Sequence, residues 1–348
     1  MNLLHGVGDF FSLDIGTNSM RIVQLIGDAN RGWTLSKFAY VPIDPKMAQD
    51  SSDLGRRRLG EAILGAVNQA GIKTKNIAIG LPASKTYTSI VDTETLPPKE
   101  MAKAFKYEID KYVPMAMNDA KADYVILGPS PNDPAKTVVL VSSASKEYAE
   151  SMMELVEKVG LNVVAMEPEP LAMARALNPA GAMEASMIVD FGENSTDLII
   201  TFKGQPRLVR TIPGGFGILV KTVASSLNVR EDQARQFILK FGLAQDQVEG
   251  QVFKVLDSLL DNYASELTKS VRFYQTQYLG GRVGGIVLSG YASVIPLMPE
   301  YIEAKTQITT MPGNPWQFVR MTPEQQNMLS SVASEFAVAV GLAERSND

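Results

Sequence analysis

Apolar and polar positions fall into short strand-length blocks separated by longer stretches with helical spacing. Phe10-Phe11-Ser12-Leu13 is an apolar run that stops at Asp14-Ile15-Gly16-Thr17-Asn18-Ser19, and Met20-Arg21-Ile22-Val23-Gln24-Leu25-Ile26 follows at once. Much later Met187-Ile188-Val189 leads into Asp190-Phe191-Gly192-Glu193-Asn194-Ser195, with Thr196-Asp197-Leu198-Ile199-Ile200 behind it. Small and polar residues between two such runs predict a strand, a tight turn and a strand at both places.

Apolar residues at helical spacing predict helices over 56–70, 145–159, 230–241 and 248–278. The aromatic stripe Phe273, Tyr274 and Tyr278 on the last of these reads as core. Thr322-Pro323-Glu324-Gln325 is a capping box with proline at the first helical position, and it opens a final buried helix running through the small apolar residues up to Ala343. Residues 284–293 read as a buried strand, then a small-residue turn, with a helix starting near Pro296. Pro213-Gly214-Gly215-Phe216-Gly217 is a glycine-rich turn opening a helix whose N-terminal N–H groups are aimed at phosphate or ribose. Between 91 and 158 lie a proline pair, a helix over 99–112, Pro114 and two strand-like runs joined by a Gly-Pro-rich hairpin end. This stretch reads as a subdomain inserted in the first half.

At 348 residues the chain is too long for one comfortable core, and two domains follow. The expected division is 1–185, carrying the insertion, and 186–348, carrying a smaller helical subdomain over 218–280. A net charge of −5 gives no global attraction to nucleic acid or anionic lipid. The run Arg56-Arg57-Arg58 reads as a solvated helix face. Cysteine is absent, which removes disulfides, thiolate metal sites and cysteine nucleophiles and suits a reducing cytoplasm. The single histidine, His5, lies in the N-terminal tail, which argues against a Ser-His-Asp triad and a His-ligated metal. Any metal should be a hard cation on oxygen ligands. No stretch approaches the ~20 apolar residues of a membrane span, and the first residues lack a signal peptide's basic start and apolar run. A cytoplasmic chain is expected.

The two turns share residues at identical offsets: Asp14 with Asp190, Gly16 with Gly192, Asn18 with Asn194, Ser19 with Ser195. Matched turns half a chain apart suggest two similar halves, each opening with a hairpin. Backbone N–H groups of such a turn converge on an anion, usually phosphate. The Asp at the end of the preceding strand can hold a hydrated Mg²⁺ that bridges phosphate oxygens. Either turn alone reads more readily as an ordinary hairpin. The pair favours a polyphosphate gripped from both sides. There is no Walker A motif and no complete G-x-G-x-x-G.

With these pieces in order, the chain resembles the actin-like ATPase superfamily, and within it the PilM family of type IV pilus assembly proteins, relatives of the division protein FtsA. Leu13 to Ser19 matches that family's first phosphate loop, Asp190 to Thr196 its second, and Val287-Leu288-Ser289-Gly290 its adenosine motif. The helix ending Tyr107-Glu108-Ile109-Asp110-Lys111-Tyr112-Val113-Pro114 looks like its Glu-x-x-x-Tyr-x-Pro signature. Glu167-Pro168-Glu169-Pro170-Leu171-Ala172 resembles its connecting segment, and Ser270-Val271-Arg272-Phe273-Tyr274 its helix in the second half. The chain departs from the family at Tyr291, where a second glycine is usual, at Leu219 and Val220, where Thr or Asp is usual, and at Glu167, where Asp is usual.

The resemblance implies an α/β fold of two actin-like (ribonuclease H-like) domains flanking a nucleotide cleft, with an α+β subdomain inserted in the first. It implies ATP and Mg²⁺ as ligands. Asp14 and Asp190 would hold Mg²⁺ through water. Gly16, Thr17, Asn18, Ser19, Gly192, Asn194, Ser195 and Thr196 would hold phosphates, and Gly214, Gly215, Ser289, Gly290 and Tyr291 the rest of the nucleotide. Glu167 or Glu169 would orient a water, so that slow turnover is the most the site should give. The partner implied is the N-terminal cytoplasmic peptide of a PilN-like inner-membrane protein, docked at the inserted subdomain. The membrane is then reached only through that partner; self-association is allowed and nucleic acid is not expected. The alternatives are an FtsA-like filament protein, which wants a basic amphipathic C-terminus, and a small-molecule kinase, which wants a sugar-binding carboxylate in a deep cleft.

Overall fold

The computed structural model describes residues 9–28, 32–247, 250–278 and 281–345. His5, Val248 and residues 346–348, all used in the sequence reading, lie outside them. The chain divides into two units, one of residues 1–177 and 314–348, the other of 178–313.

The first unit opens with β1 (Phe11–Ile15), β2 (Ser19–Asp28) and β3 (Gly32–Pro42), followed by α1 (Pro45–Gln49), α2 (Asp53–Gln69) and β4 (Asn76–Leu81). Next come β5 (Thr86–Glu94), α3 (Pro98–Glu108), β6 (Ala120–Pro129), β7 (Lys136–Ser145), α4 (Lys146–Lys158), β8 (Asn162–Pro168) and α5 (Glu169–Leu177). The second unit holds β9 (Ala185–Phe191), β10 (Ser195–Phe202), β11 (Gln205–Pro213), α6 (Phe216–Leu227), α7 (Glu231–Phe241) and α8 (Gln251–Gln277), then β12 (Val283–Gly290), α9 (Met298–Thr306) and β13 (Thr310–Pro312). The chain then returns to the first unit as β14 (Val319–Arg320), α10 (Pro323–Leu329) and α11 (Ala337–Ala343).

A six-stranded sheet, β14-β3-β2-β1-β4-β8, is the backbone of the first unit. Alternation along its strands sends side chains to two faces. Phe11, Leu13, Met20 and Ile22 meet Leu59 and Ile63 of α2 and Met152 and Val156 of α4. On the other face Val23 and Leu35 meet Trp316, Leu329, Phe336 and Val340 of the returning segment. There α5 and α11 lie so close that a methyl at Gly341 would stand 1.8 Å from the Ala172 carbonyl, so no larger residue fits at that crossing.

The inserted subdomain is a separate three-stranded sheet, β5-β7-β6, with its own core of Met101, Phe105, Val139 and Val141. It covers 86–145, not 91–158. The helix expected to end it is α4, capped by Ser145, and its apolar face packs on the six-stranded sheet.

The second unit is a five-stranded sheet, β11-β10-β9-β12-β13. Its helices α6, α7 and α8 share one core with Met187, Val189, Leu198, Ile200 and Ile286 of the strands. The stretch 218–280 is therefore part of this core and not a helical body apart. Two further expectations are corrected. The second unit ends at Gly313 and not at 348, because the apolar face of 314–345 fits the first sheet. The final helix is also broken: α10 keeps the expected capping box at Thr322, but Ala333–Phe336 forms a one-turn 3-10 helix before α11. That break lets Phe336 bury completely and lets the Trp316 indole N–H donate to the Ala333 carbonyl at 3.1 Å.

Candidate functional sites at the repeated turns

Both repeated turns close in the same way. The Gly16 N–H donates to the Ser19 carbonyl at 3.0 Å, and the Gly192 N–H to the Ser195 carbonyl at 2.9 Å. Each Asp stands directly opposite the residue seven positions on, Asp14 against Arg21 and Asp190 against Asp197. Cross-strand partners share a face, so the repeat is identical in backbone and opposite in charge. One turn sets a guanidinium beside its Asp, the other a second carboxylate.

In the first unit the Arg21 Nη2 lies 2.8 Å from Asp14 Oδ2, with both side chains largely buried. Burial pushes the Asp14 carboxyl up from its ordinary value, against the pull of Arg21. The guanidinium lies across the turn, so that a methyl at Gly16 would stand 2.5 Å from it. Arg21 Nη1 also donates to the Ser19 hydroxyl at 3.0 Å, and Ser19 donates in turn to Glu335 at 3.1 Å. Thr17 and Asn18 are half-buried at the turn itself, where the Asn18 carbonyl accepts from the Ile43 N–H at 3.0 Å. Arg21 and Glu335 are additions to the expected set.

In the second unit Asp190 faces Asp197 on one side and Ser289 of β12 on the other. Burial raises the Asp197 carboxyl, against a hydrogen bond from the Thr211 hydroxyl at 2.5 Å. A methyl at Gly290 would stand 2.8 Å from Asp190 Oδ1, which brings the expected adenosine motif against this carboxylate. Asn194 is exposed and Ser195 half-buried at the turn. Thr196 is not free for phosphate: it is buried, and its hydroxyl donates to the Gly214 carbonyl at 3.0 Å.

The turn at 213–217 packs onto the second hairpin instead of presenting its donors. The Phe216 N–H donates to the Gly192 carbonyl at 2.9 Å, and the Gly217 N–H to the Glu193 carbonyl at 3.0 Å. A methyl at Gly215 would stand 2.3 Å from the Gly192 oxygen, which is why glycine is needed there. The expectation that these N–H groups face phosphate or ribose is therefore corrected. Tyr291 stacks on the buried Phe216 with ring centroids 4.0 Å apart and planes 12° apart. Arg235 of α7 covers both rings, donates to the Tyr291 hydroxyl at 3.1 Å and pairs with Glu193 at 2.6 Å.

Glu167 and Glu169 separate in role. Glu167 is buried at the end of β8, with Oε1 2.6 Å from Arg175 and Oε2 3.0 Å from Arg345. Burial acts to raise its carboxyl, and the two guanidiniums outweigh that and hold it below its ordinary range. Both oxygens are committed to ion pairs, so Glu167 is a structural anchor and not a group that orients water. Glu169, half-buried at the start of α5, is left with that candidacy.

Next to this anchor Glu344 is buried, and burial pushes its carboxyl up to about 8 against the pull of Arg175. The folded chain then holds a proton that the unfolded chain releases near its ordinary 4.5. A raised acid makes stability fall as pH climbs between those values. Glu344→Gln should remove that slope and be more stable than the parent at pH 8 by about 2–4 kcal/mol, yet equal to it near pH 4.5. Urea titrations at the two pH values check this; equal parent and variant stability at pH 8 would contradict it.

The residues in register beside Asp190 carry oxygen ligands: Asp197, Ser289 and, beyond Asp197, Thr211. That set fits a hydrated hard cation, which takes one or two carboxylates with its remaining ligands from water and phosphate. Asp14 fits less well, its charge being already compensated by Arg21. Among the described residues there is no group of three or more His, Cys, Asp or Glu that could hold a metal alone. Nor is any described helix long and apolar enough to cross a membrane.

The family of type IV pilus assembly protein PilM matches residues 12–347, nearly the whole chain. The chain belongs to the PilM family. Among solved structures, a PilM–PilN type IV pilus biogenesis complex aligns with a TM-score of 0.79 at 21% identity, covering 96% of this chain and 97% of that one. MreB5 of Spiroplasma citri bound to AMPPNP aligns with a TM-score of 0.53 at 12% identity, covering 96% and 95%. These likenesses establish the actin-like ATPase fold that the repeated hairpins imply. Cell division protein FtsA of Neisseria meningitidis serogroup B (strain ATCC BAA-335 / MC58) is 21% identical over 227 residues, 59% of this chain. The match spans about half (53%) of that curated relative's length. The PilM family assignment, by contrast, takes in both hairpin turns, the insertion and the returning C-terminal segment.

Proposed function

We propose that this PilM family member is the ATP-binding component of a type IV pilus inner-membrane assembly platform, docking the cytoplasmic N-terminal segment of a PilN-like membrane protein. The observation that carries the nucleotide part is the repeated turn, with the same residues, the same closing hydrogen bond and an Asp in the same place. In this reading each turn offers phosphate ligands, Gly16, Thr17 and Asn18 in the first unit and Gly192, Asn194 and Ser195 in the second. Arg21 joins them as a cation already aimed at the first turn by Asp14. Asp190 and Ser289 would hold hydrated Mg²⁺, which when bound neutralises phosphate charge. Gly290 would let the ligand approach Asp190, and Tyr291 with Gly214 and Gly215 would shape the space beyond the phosphates.

Neither glutamate of the connecting segment supplies a tuned base, since Glu167 is clamped in ion pairs and only Glu169 remains. Turnover should be slow, as positioning and electrostatics alone allow. Steady-state hydrolysis at the rate of a metabolic kinase, with no acceptor added, would contradict this switch-like reading.

The partner part draws on the inserted sheet. Both β5 and β6 are edge strands, and β6 exposes Val125 (56%) and Ile126 (44%). An unpaired edge with adjacent apolar side chains suits an extended peptide added as a further strand. The PilM–PilN complex supports a PilN-like partner, and through it a place at the inner face of the cytoplasmic membrane. A Val125→Lys, Ile126→Glu double variant should bind the N-terminal peptide of the organism's own PilN-like protein at least about tenfold more weakly. Its melting temperature should change little, since neither side chain belongs to the core of the inserted sheet. Fluorescence anisotropy with a labelled peptide reads this out, and unchanged affinity would remove β6 as the docking edge.

A further inference from the structure

We propose that Arg21, Ser19 and Tyr40 form an anion seat at the first turn, which the Glu335 carboxylate fills as an internal stand-in for a phosphate group and yields to a bound phosphate. This rests on the nucleotide reading above and adds a regulation to it.

Three donors from two neighbouring strands converge on one two-oxygen anion. The Ser19 hydroxyl donates to Glu335 Oε2 at 3.1 Å, Arg21 Nη1 approaches the same oxygen at 3.5 Å, and the Tyr40 hydroxyl lies 3.1 Å from both oxygens. Burial raises the Tyr40 phenol from its ordinary value, which keeps it a donor. The guanidinium is fixed in place by Asp14 on its other side and lies across Gly16. A guanidinium and two hydroxyls arranged in this way form a recognition set for phosphate or carboxylate. The set adjoins the turn to which phosphate binding is assigned, and the chain supplies its own carboxylate from 316 residues away.

Glu335 is also placed to leave. It sits on the one-turn 3-10 helix Ala333–Phe336, held mainly by the burial of Phe336 against Phe38, Tyr40 and Trp316. Its side chain keeps 37% exposure, so solvent weakens its hold on the seat. A phosphate group carries more charge and more acceptor oxygens than a carboxylate, so it gains more from the same donors. When the carboxylate leaves, the turn that carries it and leads into α11 loses a tether, and ligand at the first turn is thereby reported to 333–343.

A competitor in the seat lowers apparent affinity by the fraction of seats it holds. Mg·ATP and, separately, inorganic tripolyphosphate would be titrated into the parent and into Glu335→Gln and Glu335→Ala by calorimetry. Both variants should bind about 3–10-fold more tightly than the parent. Hydrogen exchange of the amides at 333–343 should speed up when the parent is saturated with ligand, and should not change with ligand in Glu335→Gln. Affinity equal to or weaker than the parent's in both variants, with unchanged melting temperatures, would overturn the proposal and leave the nucleotide reading standing. If the folded parent binds neither probe, the nucleotide reading itself fails, and this inference with it.

Discussion

Replacing Glu167 by Ala should lower the stability of the chain by about 3 kcal/mol. The carboxylate is 8% exposed and is the shared partner of Arg175 and Arg345, which are 34% and 26% exposed. Its removal leaves two guanidiniums facing each other over a buried gap. Arg175 also donates to the Gly341 carbonyl, so its displacement reaches the close α5–α11 crossing as well. Glu167→Gln keeps the shape and loses the charge, and should fall between the parent and the alanine variant. Because the folded pKa of Glu167 is lowered, its contribution is present above the ordinary glutamate value and is lost as pH falls through the folded one. Urea denaturation at pH 7 tests the claim, and a loss below about 0.5 kcal/mol would place the pair among solvated ion pairs. If Glu167 oriented a water instead, Glu167→Gln would abolish turnover and leave stability alone.

The second large effect is an asymmetry between the two repeated aspartates. Asp190→Ala should weaken Mg·ATP binding by about 100-fold or more, a difference of roughly 3 kcal/mol, with little change in melting temperature, since Asp190 is half-buried. Asp14→Ala should act first on the fold, because it removes the 2.8 Å carboxylate partner of the largely buried Arg21. Thermal melts of both variants beside their binding isotherms separate the two roles. Equal losses of binding with equal melts would mean that the turns work alike and that the Arg21–Asp197 difference has no consequence.

Much of this was legible in the sequence because it is local. A strand, a Gly- and Ser-bearing turn and a strand are set by neighbours, so both hairpins, the helix opening at Gly215 and the capping box at Thr322 follow from short-range chemistry. The face that Arg21 and Asp197 share with their aspartates was legible too, since a tight hairpin places such partners opposite each other. It is easily masked, because both residues sit inside apolar runs that look like plain strand.

Other features have no local signal. Helical spacing shows that 314–345 has an apolar face, but not which of two sheets it covers, and the segment returns to the first. A glutamate ahead of a helix reads the same whether free or clamped, and the second clamp on Glu167 comes from Arg345, 178 positions away. The C-terminal boundary of the insertion lacks a local mark for a related reason. The α4 periodicity describes an amphipathic helix equally well on either sheet, and packing against Leu59 and Ile63 decides it.

Nucleotide binding through the repeated turns is the main property proposed for this chain. Calorimetric titration of Mg·ATP into the purified full-length protein tests it most directly. One saturable site, lost in Asp190→Ala while the melting temperature holds, is the predicted result. A folded parent that takes up no Mg·ATP at millimolar concentration, or an Asp190→Ala variant that binds as the parent does, would contradict it.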